Sequence, residues 1–222
     1  EFYGEVDLRI SWYRYAQLLR LFCKMVSAYS FSIIYLGQSY LFLMRITKVT
    51  TKTGDNGETG LVNNVRLSKD HPRIVAIGEI DHLNSFLGWS ISECSDSDLR
   101  SDLKDIQQDL FNMGGELAMP DTQHLLLKEQ RLMFLEQKIE TFTEKLPPLE
   151  EFVLPGGIEF SSRLHIARSG CRSAERSIVA LYKKEVEITL HIKYLNRLSD
   201  YLFSLARWVN LSGGGKDEEW IH

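Results

Sequence analysis

The chain has little cysteine and no pattern of metal-binding side chains. Its three cysteines, Cys23, Cys94 and Cys171, are widely separated and include no CxxC pair. This excludes a disulfide framework and favours a reducing compartment, such as the cytoplasm. The six histidines lack HExxH or another ligand spacing, so no structural metal site is expected. A Mg²⁺ ion held by nucleotide phosphates would leave no such signature.

The usual nucleotide-binding and hydrolase motifs are also missing. There is no GxxxxGK[ST], no GxGxxG and no GxSxG string, and the closest match, residues 213–216, lacks the leading glycine. The net charge is −4 and no basic stripe stands out, which argues against nucleic acid as a partner. An ATP enzyme with this sequence therefore needs an unusual phosphate-binding loop.

Residues 1–43 differ in composition from the rest, and three interpretations compete. The stretch from Met25 to Met44 has no charged residue and is long enough to span a bilayer, although serines and Gln38 dilute it. A targeting segment would show a charged region, a short apolar region and a cleavage site of small residues in that order, and the sequence lacks this order. We favour a non-native or family-foreign extension before a start at Met44, with no membrane association. The expected domains are then the extension, a domain over 44–211 and a tail over 212–222.

Apolar residues recur at helical spacing through most of the chain after residue 70. The pattern predicts five long helices: one that begins near Pro72, then helices over about 98–118, 126–145, 161–184 and 189–211. Gly213 to Gly215 should stop the last one. No strand alternation of any length appears. The predicted fold class is all-α, an up-and-down five-helix bundle with an irregular N-terminal nucleotide-binding loop.

The segment from Thr51 to Gly60 reads T-K-T-G-D-N-G-E-T-G and is a candidate phosphate cradle. Glycines let backbone N–H groups approach a ligand, and threonine and lysine add donors. The fourth predicted helix carries cations and a carboxylate on one side: Arg168, Arg172, Glu175 and Arg176. That side is either an ordinary solvated face or a phosphate-binding surface, since arginine suits bidentate phosphate contacts.

Three further sets of residues admit a bland and a functional interpretation. Asn196 and Asp200 lie one turn apart and are either surface residues or part of a site. Asp81, between the apolar positions 80 and 83, is expected to be partly buried with a cationic partner. Phe152 begins the string F-V-L-P-G-G, which is either a hydrophobic cap over the core or a wall of an apolar ligand pocket.

Taken together, these segments resemble the ATP:cob(I)alamin adenosyltransferases of the trimeric five-helix-bundle class. The resemblance covers Met44 to Asn210, and several ordered strings carry it: T-K-T-G-D-N-G-E-T-G-L from Thr51, R-L-S-K-D from Arg66, G-E-I-D-H-L-N-S-F-L-G from Gly78, F-V-L-P-G-G from Phe152, R-S-G-C-R-S-A-E-R from Arg168 and N-R-L-S-D-Y-L-F from Asn196.

The resemblance implies a reaction. ATP binds with Mg²⁺, the Co(I) centre of reduced cobalamin attacks the 5′ carbon, triphosphate leaves and adenosylcobalamin forms. The protein's tasks are to position the reactants and to stabilise charge on the leaving group. A homotrimer with sites between subunits, a reductase and an acceptor enzyme are the implied partners. The alternatives are a non-catalytic carrier or sensor of ATP or adenosylcobalamin on the same fold, and a membrane-tethered bundle.

The resemblance also implies residue roles. Phe152 would lie on the corrinoid side, where an aromatic displaces the lower ligand of cobalt. Asp81 and Arg168 would pair across a subunit boundary and, with Arg172 and Glu175, make up the catalytic group. The implied ATP-binding residues are Thr51, Lys52, Thr53, Gly54, Thr59, Gly60, Lys69, Arg172, Ser173, Ala174, Glu175, Arg176 and Asn196. The sequence departs from the family pattern at Asn63-Asn64, His82 and Ser173.

Overall fold

The computed structural model describes residues 50, 52–61, 65–119, 126–183 and 189–221. The expectations for residues 1–43, Thr51 and Asn63-Asn64 lie outside these ranges. The described residues form a short antiparallel hairpin followed by the five predicted helices. The bounds are β1 Glu58–Gly60, β2 Arg66–Ser68, α1 Pro72–Glu93, α2 Ser97–Leu117, α3 Glu129–Thr143, α4 Glu159–Tyr182 and α5 Thr189–Ser212.

The hairpin corrects the expectation of a chain without strands. β1 and β2 pair antiparallel, with Thr59 opposite Leu67, and each strand has three residues. A strand this short holds at most two residues of one face, so period-two alternation has no room to show in the sequence. The hairpin lies in the segment that we expected to be an irregular loop.

Local chemistry explains where the helices begin. Pro72 takes the first position of α1, where a missing N–H costs nothing, and the Asp96 carboxylate caps α2 by accepting from the amides of Asp98 and Leu99 at 2.8 and 2.9 Å. Helix α3 begins at Glu129, three residues later than expected, because the Leu126 and Leu127 amides donate to the Glu116 carboxylate instead.

Helix α4 occupies the centre of the bundle. It packs most extensively against α1 and α5, while α2 packs on α1 and α3 on α5. The middle of its buried seam, from Ala167 to Ala174, is built from small side chains, and a Cβ added at Gly170 would come within 2.8 Å of the Phe86 ring on α1. Small residues let helices approach closely, which holds the charged side of α4 at a defined depth. The fully buried members of the seam are Leu164, Ala167, Cys171, Ala174, Ile178 and Leu181.

A buried polar network joins three helices. The Asp109 carboxylate of α2 accepts from the Tyr194 hydroxyl of α5 and from Arg131 Nε of α3, both at 2.7 Å. Asp109 is 5% exposed, and burial raises the pKa of its carboxyl above the usual value against the opposing effect of the two donors. The network therefore ties α2, α3 and α5 together at a point where an unpaired carboxylate would be costly.

No helix in the described part of the chain is long and apolar enough to cross a membrane. The stretch from Met25 to Met44, which motivated that question, lies outside the described residues.

Tyr194→Phe should lower the free energy of unfolding by about 1.5–3 kcal/mol, because it removes a hydrogen bond to a buried charged group. Urea unfolding at matched protein concentration measures the loss. Tyr182→Phe, at an exposed position near the end of α4, is the matched control and should change stability by less than about 0.5 kcal/mol. If the two substitutions lower the free energy of unfolding equally, the Tyr194 hydrogen bond to Asp109 does not stabilise the fold.

Candidate functional site

The hairpin loop is held by one arginine that bridges its two sides. Arg66 Nη2 donates to the Thr53 carbonyl at 2.8 Å, and Arg66 Nε pairs with Glu58 at 3.0 Å. The Lys69 amide donates to the Gly57 carbonyl at 2.8 Å, where Gly57 adopts a φ of 81°. These contacts shape the glycine-rich segment before any ligand binds.

Two predicted phosphate-binding residues lie side by side in this hairpin. A Cβ added at Gly54 would come within 3.3 Å of Lys69 Nζ and 3.2 Å of the Glu58 carbonyl. A side chain at this position would crowd the ammonium group and the loop backbone, and glycine lets the two stand close together. Lys52 and Thr53 are exposed, and Thr59 and Gly60 are half-buried in β1.

The charged side of α4 contacts α5 through Glu175. Glu175 Oε1 accepts from Asn196 Nδ2 at 3.3 Å, which joins the two helices at the surface. Arg176 Nη2 donates to the Ser173 hydroxyl at 2.8 Å. Arg172 is exposed, whereas Ala174 is fully buried in the seam, where its side chain packs against the core.

Arg168 is the most buried cation on this side. Its Nε is buried with no hydrogen-bond partner among the described residues, and its guanidinium lies 5.9 Å from the centre of the Phe203 ring. Burial, and then the charge of Arg172, lowers the pKa of Arg168. The expectation that Asp81 is partly buried is wrong for the single chain, where it is exposed on α1. Successive residues of a helix point about 100° apart, which turns Asp81 away from the face that buries Ile80 and Leu83.

Phe152 does not cap the core, which excludes the bland interpretation of its loop. Its side chain is 78% exposed and meets the Trp220 ring edge-on, with ring centroids 6.4 Å apart. Leu154 and Ile221 add exposed apolar surface on the same two segments. A surface of this composition is typical of a site for a large apolar ligand or partner.

His165 lies one turn before Arg168 and was not predicted as a site residue. It is 5% exposed, its ring stands edge-on to Phe203 at 6.2 Å, and its Nδ1 has no hydrogen-bond partner among the described residues. Burial, and secondly the charge of Arg168, lowers the pKa of His165 to about 4, with a smaller opposing effect of Asp217. The imidazole is therefore neutral at physiological pH.

The predicted phosphate-binding residues form two groups, one in the hairpin and one on α4 and α5. The contacts of each group join members of that same group. Within the hairpin, Arg66 reaches Thr53 and Lys69 reaches Gly54. On α4 and α5, Glu175 reaches Asn196. Arg66 was not predicted as a residue of this site, because a single arginine in a short polar string has no recurring pattern. The carboxylate eight residues before it is the signal that a hairpin interpretation would have used.

The comparisons with known proteins identify the family. The family model for cobalamin adenosyltransferase matches residues 49–209. The chain is 45% identical over 177 residues to a cobalamin adenosyltransferase of Cupriavidus metallidurans, covering 79% of this chain and 95% of that protein. It is 46% identical over 178 residues to a corrinoid adenosyltransferase of Bacillus subtilis, covering 78% and 92%.

A solved structure extends the likeness to the fold. A variant of the PduO-type ATP:corrinoid adenosyltransferase of Lactobacillus reuteri, complexed with cobalamin and ATP, superposes with a TM-score of 0.76 at 38% identity, covering 79% of this chain and all of that chain. With the helical bundle, the glycine-rich hairpin and the charged side of α4 in place, the chain belongs to the cobalamin adenosyltransferase family. The sequence resemblance is confirmed.

Acid should destabilise the fold partly through His165. The pKa of His165 is about 4 in the folded chain, against 6.5 as the ordinary value, so its contribution to stability is complete above about pH 6.5 and is lost as the pH falls towards 4. Urea unfolding between pH 7.5 and 4.5 should show a shallower acid loss for His165→Gln than for the unchanged chain. Parallel curves for the two proteins would contradict the neutral, buried imidazole.

Proposed function

We infer that this protein transfers the 5′-deoxyadenosyl group of ATP to the cobalt of a reduced corrinoid. The Co–C bond forms as the C5′–O bond of ATP breaks, Co(I) becomes formally Co(III), and triphosphate leaves. The observation that carries the inference is the Glu175–Asn196 contact beside exposed Arg172, inside the segment that the family model covers. This places hydrogen-bonding and cationic groups together on the surface shared by α4 and α5.

The chemistry explains what the protein must supply. Cobalt is the nucleophile, so the reaction requires no serine, cysteine or other protein nucleophile. Negative charge grows on the triphosphate as the C5′–O bond breaks, and fixed cations stabilise that charge more in the transition state than in the ground state. Arg172 is suited to this role, with Arg176 held beside it by Ser173.

The hairpin supplies the second group of phosphate ligands in this proposal. Thr51, Lys52, Thr53, Gly54, Thr59 and Gly60 form the triphosphate loop, and Lys69 adds the cation that stands against Gly54. The hairpin and the α4 surface meet on one nucleotide, either within a protomer or between neighbours. Asn196 holds the nucleoside end.

Mg²⁺ fits this site as an ion brought by the triphosphate. No group of three or more histidine, cysteine, aspartate or glutamate side chains within the described ranges is arranged to hold a metal. Phosphate oxygens are ligands that Mg²⁺ commonly uses, with waters and one or two carboxylates completing the shell. Glu175 is the carboxylate nearest to the proposed phosphate cations along α4. The ion would neutralise charge on the leaving group.

Phe152 marks the corrinoid side of the site. An aromatic ring that is 78% exposed costs free energy in water, and it gains contact area when a flat apolar macrocycle covers it. In this role the ring stands where the lower ligand of cobalt would otherwise lie. A reductase would supply Co(I), and an adenosylcobalamin-dependent enzyme would consume the product, in a reducing compartment such as the cytoplasm.

Arg172→Ala should lose at least about 3 kcal/mol of transition-state stabilisation, roughly a hundredfold in turnover, by analogy with the loss of an oxyanion donor. The assay combines ATP, Mg²⁺ and chemically reduced cobalamin and follows the adenosylcobalamin spectrum. Arg163→Ala is the matched control on α4, because Arg163 pairs with Glu159 and with the Trp89 carbonyl, neither of which is assigned to the site. Near-native turnover of Arg172→Ala would refute its role.

If the unchanged protein binds ATP and cobalamin but forms no adenosylcobalamin, the catalytic proposal fails. A non-catalytic binding protein would then be the better description.

The site is completed by a neighbouring subunit in this proposal. The half-buried guanidinium of Arg168 has a lowered pKa and a buried Nε without a described partner, while Asp81 stands exposed on the adjacent helix α1. A carboxylate from another copy would offset the burial of Arg168. We therefore assign Asp81 of one protomer to Arg168 of the next, in a homotrimer with shared sites.

Reversing either charge should weaken assembly by about tenfold or more, because like charges would then face each other at the interface. The variants are Asp81→Arg and Arg168→Asp, and light scattering after size exclusion gives the mass across a dilution series. The double reversal should recover part of the loss. A double variant that assembles no better than the single variants would show that Asp81 and Arg168 do not pair across the interface.

A further inference from the structure

The C-terminal tail of the chain returns along the Phe152 segment. After α5 ends, the Leu154 amide donates to the Glu218 carbonyl and the Trp220 amide donates to the Phe152 carbonyl, both at 2.7 Å. Val153 and Glu219 face each other between these bonds as an antiparallel bridge. The backbone on both sides of Val153 is thus fixed by the tail.

One asparagine joins the tail to the loop that follows Phe152. Asn210, 3% exposed near the end of α5, accepts from the Ile158 amide through Oδ1 at 3.1 Å and donates through Nδ2 to the Lys216 carbonyl at 2.9 Å. A Cβ added at Gly157 or at Gly215 would come within 2.2 Å of Asn210 Oδ1. Both glycines are therefore needed to let the two backbones close on this amide.

A buried arginine provides a second anchor for the tail. Arg207, 6% exposed and one turn before Asn210, pairs with Asp217 at 2.6 Å and donates to the Pro147 carbonyl at 3.0 Å. Its partner carboxylate lies in the tail itself, between the residues that contact Asn210 and Phe152. A buried guanidinium that donates hydrogen bonds to two partners holds them more firmly than a guanidinium in a surface ion pair does.

We propose that Asn210 is a positioning residue for the corrinoid half of the site, which acts with Arg207 by holding the tail against the Phe152 segment. This rests on the proposed function, in which Phe152 faces the corrinoid. The side chain of Phe152 is largely exposed, so its place depends on the backbone that carries it. Fixing that backbone before binding lowers the entropy that the ligand must otherwise remove.

Asn210→Asp tests the proposal because it keeps one half of the contact. The carboxylate still accepts from the Ile158 amide, but it faces the Lys216 carbonyl as an acceptor instead of a donor. We expect the KM for cob(I)alamin to rise by about tenfold or more, and the KM for ATP to stay within about twofold. Asp217→Asn, at the partly exposed tail end of the second anchor, should shift the corrinoid KM in the same direction by a smaller factor.

Asn84→Asp is the matched control. Asn84 is also a buried helical amide, 8% exposed, but it lies between α1 and α2 and bonds to Gln107. It should leave the ratio of the two KM values unchanged even where it costs stability. If Asn210→Asp raises both KM values equally or neither, and Asp217→Asn does likewise, Asn210 has only a structural role and the proposal is overturned.

A Phe152→Ala background shows whether the effect passes through Phe152. In that background, Asn210→Asp should change the corrinoid KM by less than about twofold, because the side chain that it positions is already missing. A full effect in that background overturns the proposal. Absence of turnover in the unchanged protein would be a failure of the proposed function itself, which distinguishes the two results.

Discussion

The packing of α4 between α1 and α5 is the contact on which the rest of the structure depends. The middle of its seam consists of alanine and cysteine, and the approach is close enough that a side chain at Gly170 would strike Phe86. Because the seam is narrow, the arginines beside it differ in burial. Arg168 is half-buried, whereas Arg172, one turn later, is exposed. One helix thereby carries a partly desolvated cation and a solvent-facing one, which suits the interface and phosphate roles that we propose for Arg168 and Arg172.

The two substrates of the proposed reaction make opposite demands. Triphosphate requires cations and backbone donors, which we assign to the hairpin and to Arg172 beside the Glu175–Asn196 contact. A corrinoid requires an apolar surface, which we assign to Phe152, in the segment before the start of α4. His165 lies between these regions as a neutral ring, because burial beside Arg168 opposes its protonation. A charge at that position would add to the desolvated cation already present.

Buried polar contacts fix irregular segments of this protein. Glu116 holds the residues just before α3 through hydrogen bonds, and Arg207 and Asn210 hold the tail in the same way. Each is a polar side chain with at least two hydrogen-bond partners in segments outside the helices and strands. A loop that leaves its backbone groups unpaired away from water is costly, so such side chains determine where the loop can lie.

Helical periodicity and glycine positions determined much from the sequence alone. They predicted five helices, the stop after residue 212 and the shared side of Arg168, Arg172, Glu175 and Arg176, because apolar spacing maps directly onto a helix face. The hairpin, the depth of Arg168, the exposure of Asp81 and the Asn210 anchor were decided only by the tertiary structure. Each depends on which segments distant in sequence come within hydrogen-bond reach, and a one-dimensional pattern carries no such distances.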